Sequence, residues 1–290
     1  MAIVEFSEEN LVDVVVDSWS KTPDDRLREV MTSFTRHLHA FVREVEPTSD
    51  EWRRGIDFLG QIGQRTGDHG FMILSDAMGV SSLVDAINNR KPAGATESSV
   101  LGPVYVPGAP AYELGADISL NHEGEPCVVA GTVRDTDGNP VSGAQIDVWQ
   151  ADDQGRYDTW APDALPKFNL RGLFTTDEDG RYWFRSVVPH SYGGLVEPPV
   201  NDLLEATGRP VIRPAHIHLI AGAAGYQPLT TQVYIEGDPD LDNDFAFGVK
   251  PSLVRPVLDI QDAGRAAEFG VEAPFRLIDF DIVLARVATA

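Results

Sequence analysis

The sequence predicts an α+β fold in which an N-terminal helical part is followed by an antiparallel β-sandwich. Three observations carry this. Apolar residues recur at spacings of three and four up to about residue 90, the period becomes two beyond residue 125, and a Pro- and Gly-rich stretch separates the regimes. The expected boundaries are 1–91 for the helical part, 92–124 for an extended connector and 125–290 for the sandwich.

The first long helix opens near Thr22-Pro23-Asp24, where proline suits a first turn, and carries Leu27, Val30, Met31, Phe34, Leu38, Phe41, Val42 and Val45 on one stripe. Thr48 and Glu51 form a capping box ahead of a second helix with Trp52, Ile56, Leu59 and Ile62. Gly70 to Ile87 reads as a third. His37 and His39, two apart on a helix, point in different directions and are not read as ligands. From Pro92 to Ala111, repeated Pro and Gly exclude regular helix. Strands follow at Val128–Val133 and Ala144–Val148, and Phe174–Val187 reads as a hairpin turning at Asp179-Gly180. Further strands are expected at Ala215–Ile220, Thr230–Ile235 and Arg276–Val287.

Composition removes several function classes. Lys plus Arg is 23 against 45 for Asp plus Glu, a net charge of −22, which repels nucleic-acid backbones and anionic membranes. Cys127 is the single cysteine, so neither an intrachain disulfide nor a thiolate cluster is available. The N-terminus lacks a basic region followed by an apolar core, and no apolar run approaches ~18 residues. A cytoplasmic protein without membrane insertion is expected.

Chemistry concentrates at Arg213-Pro214-Ala215-His216-Ile217-His218. On a strand, His216 and His218 share a face with Ile217 opposite, so two imidazoles converge as a site for Zn, Cu, Fe or Ni. Remaining ligands must be Asp, Glu, Tyr or His. A carboxylate from Asp152, Asp153, Asp177 or Glu236 would complete an Fe(II) facial triad, whereas phenolates would favour Fe(III); spacing leaves this open.

Several motifs in one order narrow the choice. Glu97-Ser98-Ser99-Val100-Leu101-Gly102-Pro103, Gly131-Thr132-Val133 through Ile146-Asp147-Val148-Trp149-Gln150, Gly155-Arg156-Tyr157, Arg185-Ser186-Val187-Val188-Pro189 and the His-x-His stretch resemble the intradiol ring-cleavage dioxygenases, over roughly residues 70–260. The resemblance implies a homodimer built through the N-terminal helices and a catalytic sandwich holding Fe(III) on Tyr157, Tyr192, His216 and His218. Tyr192 would leave when a small aromatic diol or triol binds ahead of O2. It also gives Arg213 the role of stabilising negative charge on the bound ring, and Gln232 a hydrogen-bonding place beside the iron. His190-Ser191-Tyr192-Gly193 is nearer the Ser-Gly-Tyr-Gly of catechol-type members.

Substrate choice in that family depends on the third helix, the Gly-Pro connector and the end of the β part, which here implies Ile73, Asp76, Val100, Gly102, Pro103 and Ala246 as substrate-facing. Ile73 to Val80 resembles the hydroxyquinol-cleaving subgroup, where an acidic residue at the Asp76 position accepts a hydrogen bond from the third hydroxyl of benzene-1,2,4-triol. Cleavage of hydroxyquinol to maleylacetate is therefore expected, with catechol to cis,cis-muconate as the second reading. A transthyretin-like binding module without metal, and a carboxylate-assisted Fe(II) or Zn enzyme, are the readings from other classes. Family members hold a lipid at the helical interface, but no residue here predicts one.

Overall fold

The computed structural model describes residues 7–65, 67–193 and 198–287. The first residues of the chain and the loop 194–197 after Tyr192 lie outside the described residues. Contacts divide the chain into two compact units, Met1–Gln61 and Ile62–Ala290, well before the change of composition at Asn88–Pro92.

The first unit contains α1 (Leu11–Ser18), α2 (Asp25–Val45) and most of α3 (Ser49–Arg65). Asp24 caps α2 by accepting from Leu27 N at 2.9 Å, and Glu51 accepts from both the amide and the hydroxyl of Thr48 at 2.8 Å, completing the expected capping box. The α2 stripe is exposed: Leu27, Val30, Phe34, Phe41 and Val45 all lie open, Phe34 and Phe41 at 58%.

In the second unit, the single helix expected over 70–87 is two, α4 (Gly67–Ala77) and α5 (Val80–Asn88), bent by 80°. Gly79 causes the break: at φ 70° it adopts the left-handed conformation that ends a helix, which periodicity does not register. No single helix among the described residues is long and apolar enough to cross a membrane. Between α5 and β1 the chain forms no helix or named strand among the described residues, only isolated bridges such as Asp117 with Arg185.

The strands are β1 (Pro126–Asp135), β2 (Gln145–Gln150), β3 (Arg171–Thr175), β4 (Arg181–Val187), β5 (Tyr192–Gly193), β6 (Ile212–Arg213), β7 (His216–Gly222), β8 (Leu229–Ile235), β9 (Val254–Arg255), β10 (Val257–Ile260), β11 (Phe275–Asp279) and β12 (Ile282–Leu284). Helix α6 (Val200–Ala206) precedes β6, and α7 (Ala263–Glu268) precedes β11. One sheet orders β10-β11-β1-β12 with β4 also on β1; the other orders β3-β2-β7-β8-β9. Pairing is antiparallel except for β1 with β11 and β12, and β8 with β9, so the sandwich is mixed.

The hairpin expected at Asp179-Gly180 is not one. β3 pairs with β2 and β4 with β1, so this turn carries the chain from one sheet to the other. Asp177 shapes it by accepting from Asp179 N and Arg181 N. Such turn chemistry sets a reversal of direction but not the sheet each arm joins. The last strand is also interrupted: Phe280 turns its carbonyl towards Gly131, where a Cβ would stand 2.0 Å from it. Val129, Val133, Ile146, Val148, Phe174, Phe184, Ile217 and Leu219 fill the core between the sheets. Because Ile217 and Leu219 point into it, His216 and His218 project from the opposite face of β7.

Candidate active site

His216 and His218 are buried on that face, with their Nε2 atoms 3.0 Å apart and their rings edge to face. The spacing equals the chord of two metal–nitrogen bonds of ~2.1 Å meeting at about 90°. Nδ1 of His216 lies 2.6 Å from the Pro214 carbonyl, which only accepts, so Nδ1 carries the hydrogen and Nε2 presents its lone pair. Burial, then the Arg213 charge, pushes His216 down to about 3; burial and the neighbouring His216 hold His218 well below the usual imidazole range. Both rings are neutral, as metal ligation requires.

Strand register brings their supports. His218 pairs with Gln232 on β8 and with Trp149 on β2, whose ring stacks on it at 4.6 Å and 9°. Arg213 Nη2 and the Tyr234 hydroxyl both donate to Gln232 Oε1. This fixes the amide so that its nitrogen donates to Val100 O at 2.8 Å and to His218 Nδ1 at 3.1 Å. With the amide so placed, neutral His218 carries its hydrogen on Nε2; ligation through Nε2 requires that hydrogen on Nδ1 instead, with an acceptor turned towards it in place of the Gln232 amide nitrogen.

The two tyrosines arrive from loops on either side. Asp152 Oδ1 accepts from Gln154 N and Arg156 N while Oδ2 accepts from the Arg156 guanidinium, forming the turn that delivers Tyr157. Tyr192 sits on a short ribbon in register with Arg213, its Oη 3.5 Å from His216 Nε2. The Tyr157 and Tyr192 rings meet edge-on, 5.4 Å between centroids. Tyr157 Oη is buried and has no hydrogen-bond partner of standard geometry among the described residues, whereas buried Tyr182 donates to Phe280 O at 2.6 Å. A buried hydroxyl left unpaired is costly, so Tyr157 has the surroundings of a ligand and Tyr182 those of a packing residue. Burial raises the hydroxyl of Tyr157 well above the usual phenol range, with Tyr192 adding to the rise; burial also raises Tyr192, partly opposed by Arg213. Phenolates at this position therefore need the charge of a metal ion.

No group of three or more His, Cys, Asp or Glu able to hold a metal occurs among the described residues. Since no carboxylate among the described residues joins the two histidines in such a group, the facial-triad alternative finds no third ligand there; Asp152 is in addition committed to Arg156, and Asp177 to its turn. The donor set that remains, two neutral imidazoles and two phenols, fits a hard trivalent ion.

Arg213 is buried and held by a partner that sequence reasoning missed. Nε lies 2.9 Å from Asp244 Oδ1 and Nη2 3.1 Å from Oδ2, a forked pair. Asp244 also accepts from Ala246 N at 3.1 Å and Gly248 N at 2.9 Å, so the loop 244–248 folds round one carboxylate.

Of the substrate-facing residues expected, Ile73, Asp76, Pro103 and Ala246 line one pocket with Tyr192 and Arg213. Asp76 is buried at 4% exposure, not a solvent-facing helix residue. Val100 and Gly102 lie against the Gln232–His218 side: a Cβ on Gly102, itself at φ 72°, would stand 3.3 Å from His218 Cε1. Trp160, Val211 and Phe245 also line the pocket and were not foreseen. Only Trp160 had a signal, three residues beyond Tyr157, and its ring packs edge-on against that tyrosine at 4.6 Å.

A family described as dioxygenase matches residues 100–286, and one described as the catechol dioxygenase N terminus matches 24–96. The chain belongs to the intradiol ring-cleavage dioxygenases. This dioxygenase is 47% identical to the hydroxyquinol 1,2-dioxygenase of Rhizobium sp. (strain MTP-10005), covering 97% of this chain and 96% of that protein. It is 35% identical to the catechol 1,2-dioxygenase of Candida albicans, over 90% and 86% of the two chains. Among solved structures, hydroxyquinol 1,2-dioxygenase from Pseudomonas putida DLL-E4 superposes with a TM-score of 0.90 at 40% identity, covering 97% of this chain and 99% of that one. The family uses non-haem iron.

Proposed function

We propose that this dioxygenase cleaves hydroxyquinol between its adjacent hydroxyl-bearing carbons to give maleylacetate, both atoms of O2 entering the product. Tyr157, Tyr192, His216 and His218 would hold Fe(III). The observation that carries the substrate reading is the buried carboxyl of Asp76 in the same pocket as Tyr192 and Arg213, together with relatives named for hydroxyquinol. When bound, the iron supplies a Lewis acid for the diol and a route for electrons between ring and oxygen.

The chain's own groups do the rest. Tyr192, the more accessible of the two tyrosines, would be a phenolate while it holds the metal, and its Oη would then take up a proton from an incoming hydroxyl and leave as the neutral phenol. Arg213, held charged and oriented by Asp244, faces the negative charge that develops on the ring, an oxyanion-hole role. Gln232 and stacked Trp149 hold His218 in one orientation. Asp76 accepts from the third hydroxyl, and a site built to bond that group rejects the diol lacking it.

The enzyme is further proposed to be a cytoplasmic homodimer joined by the exposed stripe of α2, since such large side chains need a cover.

Iron-loaded protein should be wine-red from tyrosinate charge transfer and should turn over hydroxyquinol with a higher kcat/KM than catechol. Asp76→Asn should lose that preference while keeping its colour. An iron-replete but colourless preparation would refute the ligand set. A strong preference for catechol would replace the substrate with the second reading, muconate formation.

A further inference from the structure

We infer that Arg209, which is neither a metal donor nor part of the pocket lining, is a positioning residue that sets substrate selectivity by tying two walls of the pocket together. The inference rests on the proposal that this pocket receives the aromatic substrate.

One wall is the end of α4, which carries Ile73 and Asp76; the other is the segment Phe245-Ala246. The half-buried guanidinium of Arg209 reaches both. Nη1 donates to Ala77 O at 2.5 Å, one residue beyond Asp76, and Nη2 donates to Phe245 O at 3.2 Å. Ala77 O belongs to the last turn of α4, where carbonyls lack partners within the helix because Gly79 has turned the chain away. A cation at that end is also favoured by the helix dipole. The guanidinium is planar and its donors are fixed relative to each other, so the two carbonyls are held at one spacing.

The same group lies 4.9 Å over the ring of Phe247. Phe247 has φ 54°, an uncommon conformation for a residue with a side chain, and its ring also packs beside Gly79, where a Cβ would stand 3.4 Å from Cδ2. Backbone held in such a region persists where its surroundings over-determine it. Arg209 and Arg213 thus grip one loop, Arg209 through Phe245 O and Phe247 and Arg213 through the Asp244 carboxylate. Ser82 on α5 adds a single bond to Ala246 O at 2.8 Å, but it does not reach α4's last carbonyl. Arg209 joins the Asp76 end of α4 to the Phe245 wall through two hydrogen bonds from one guanidinium. The width between them decides whether a third ring hydroxyl meets Asp76, so a shift well under an ångström is felt as selectivity rather than as loss of chemistry.

The test uses iron-loaded full-length enzyme, wild type beside Arg209→Met and Arg209→Lys, with hydroxyquinol and catechol as substrates. For Arg209→Met, the KM for hydroxyquinol should rise about tenfold with kcat within about threefold, and the hydroxyquinol-to-catechol ratio of kcat/KM should fall about fivefold. Iron content and charge-transfer absorbance per iron should stay at wild-type values. Arg209→Lys keeps a donor but not the fork, and its ratio should fall between the two.

An unchanged ratio in folded Arg209→Met overturns the inference, as does an equal loss on both substrates accompanied by a lower melting temperature. A lost absorbance band overturns it too, because the residue would then act on the donor set. If the methionine variant does not fold, the lysine variant decides, and an unchanged ratio there is fatal. Should wild-type enzyme itself prefer catechol, the substrate reading fails separately. The KM for catechol then decides for Arg209: a clamp shifts it, a bystander leaves it alone.

Discussion

Replacing Asp244 with alanine tests the electrostatic frame of the site directly. The Arg213 and Asp244 side chains are 5% and 3% exposed, joined at 2.9 and 3.1 Å. Removing one member leaves a buried guanidinium without its counter-charge, which costs about 3–5 kcal/mol. The amides of Ala246 and Gly248 also lose their acceptor, about 1 kcal/mol each. The contacts of Arg213 Nη2 to Gln232 Oε1 and the Tyr234 hydroxyl, both 3.0 Å, survive and offset part of this. A net loss of about 4 kcal/mol remains, and for a protein of this size each kcal/mol lowers the melting temperature by ~2–4 °C. Thermal unfolding followed by circular dichroism at pH 7 should therefore show a drop of about 10 °C. The double variant Arg213→Met/Asp244→Leu should melt above Asp244→Ala, since an apolar pair strands no charge. Burial raises the Asp244 carboxyl, but Arg213 and the Gly248 amide more than reverse this, leaving it below the ordinary carboxylate value. Its contribution is then complete above about pH 4 and is lost as pH falls through the lower folded-state value. The gap between wild type and Asp244→Asn should narrow over that acidic window. An alanine variant melting within about 2 °C of wild type, or a gap that persists unchanged to pH 2, would refute the reasoning.

Two further outcomes test other parts. Tyr192→Phe should shift the visible band of the iron-loaded enzyme and lower kcat by at least about 100-fold, because it removes both a donor and a proton acceptor; absorbance and kcat at wild-type values would exclude Tyr192 from the site. Phe34→Asp places a charge in the exposed stripe of α2 and should convert a dimer to monomer in light scattering at about 10 μM, without loss of helix content. A wild-type protein that is itself monomeric would refute the dimer.

The His-x-His pair was legible because its geometry is local: period two puts alternate residues on one face, whatever the strand's neighbours. The Thr48–Glu51 box was legible for the same reason, closing within three residues. Tyr157 and Tyr192 were reachable only through ordered motifs, since nothing about a tyrosine in a loop distinguishes a donor from a packing ring. The unsatisfied hydroxyl that separates Tyr157 from Tyr182 exists only in the fold. Trp149, Tyr234 and Asp244 escaped sequence reasoning because they meet the histidines and Arg213 through strand register and loop closure. Those contacts span 21 residues from Arg213 to Tyr234 and 31 to Asp244. The turn at Asp179-Gly180 was misread as a hairpin for a related reason, as both arms have the right pattern and only packing assigns them to different sheets.

By itself, then, the sequence determined the helical and β regimes, the connector between them and two imidazoles aimed at one point, all consequences of spacing along the chain. Tertiary structure alone decided that Asp76 is buried beside Tyr192 and Arg213, that Asp152 and Asp177 are committed to Arg156 and to a turn, and that one loop is gripped by two arginines. Those facts depend on which distant segments the hydrophobic core brings together, and no local periodicity encodes that choice.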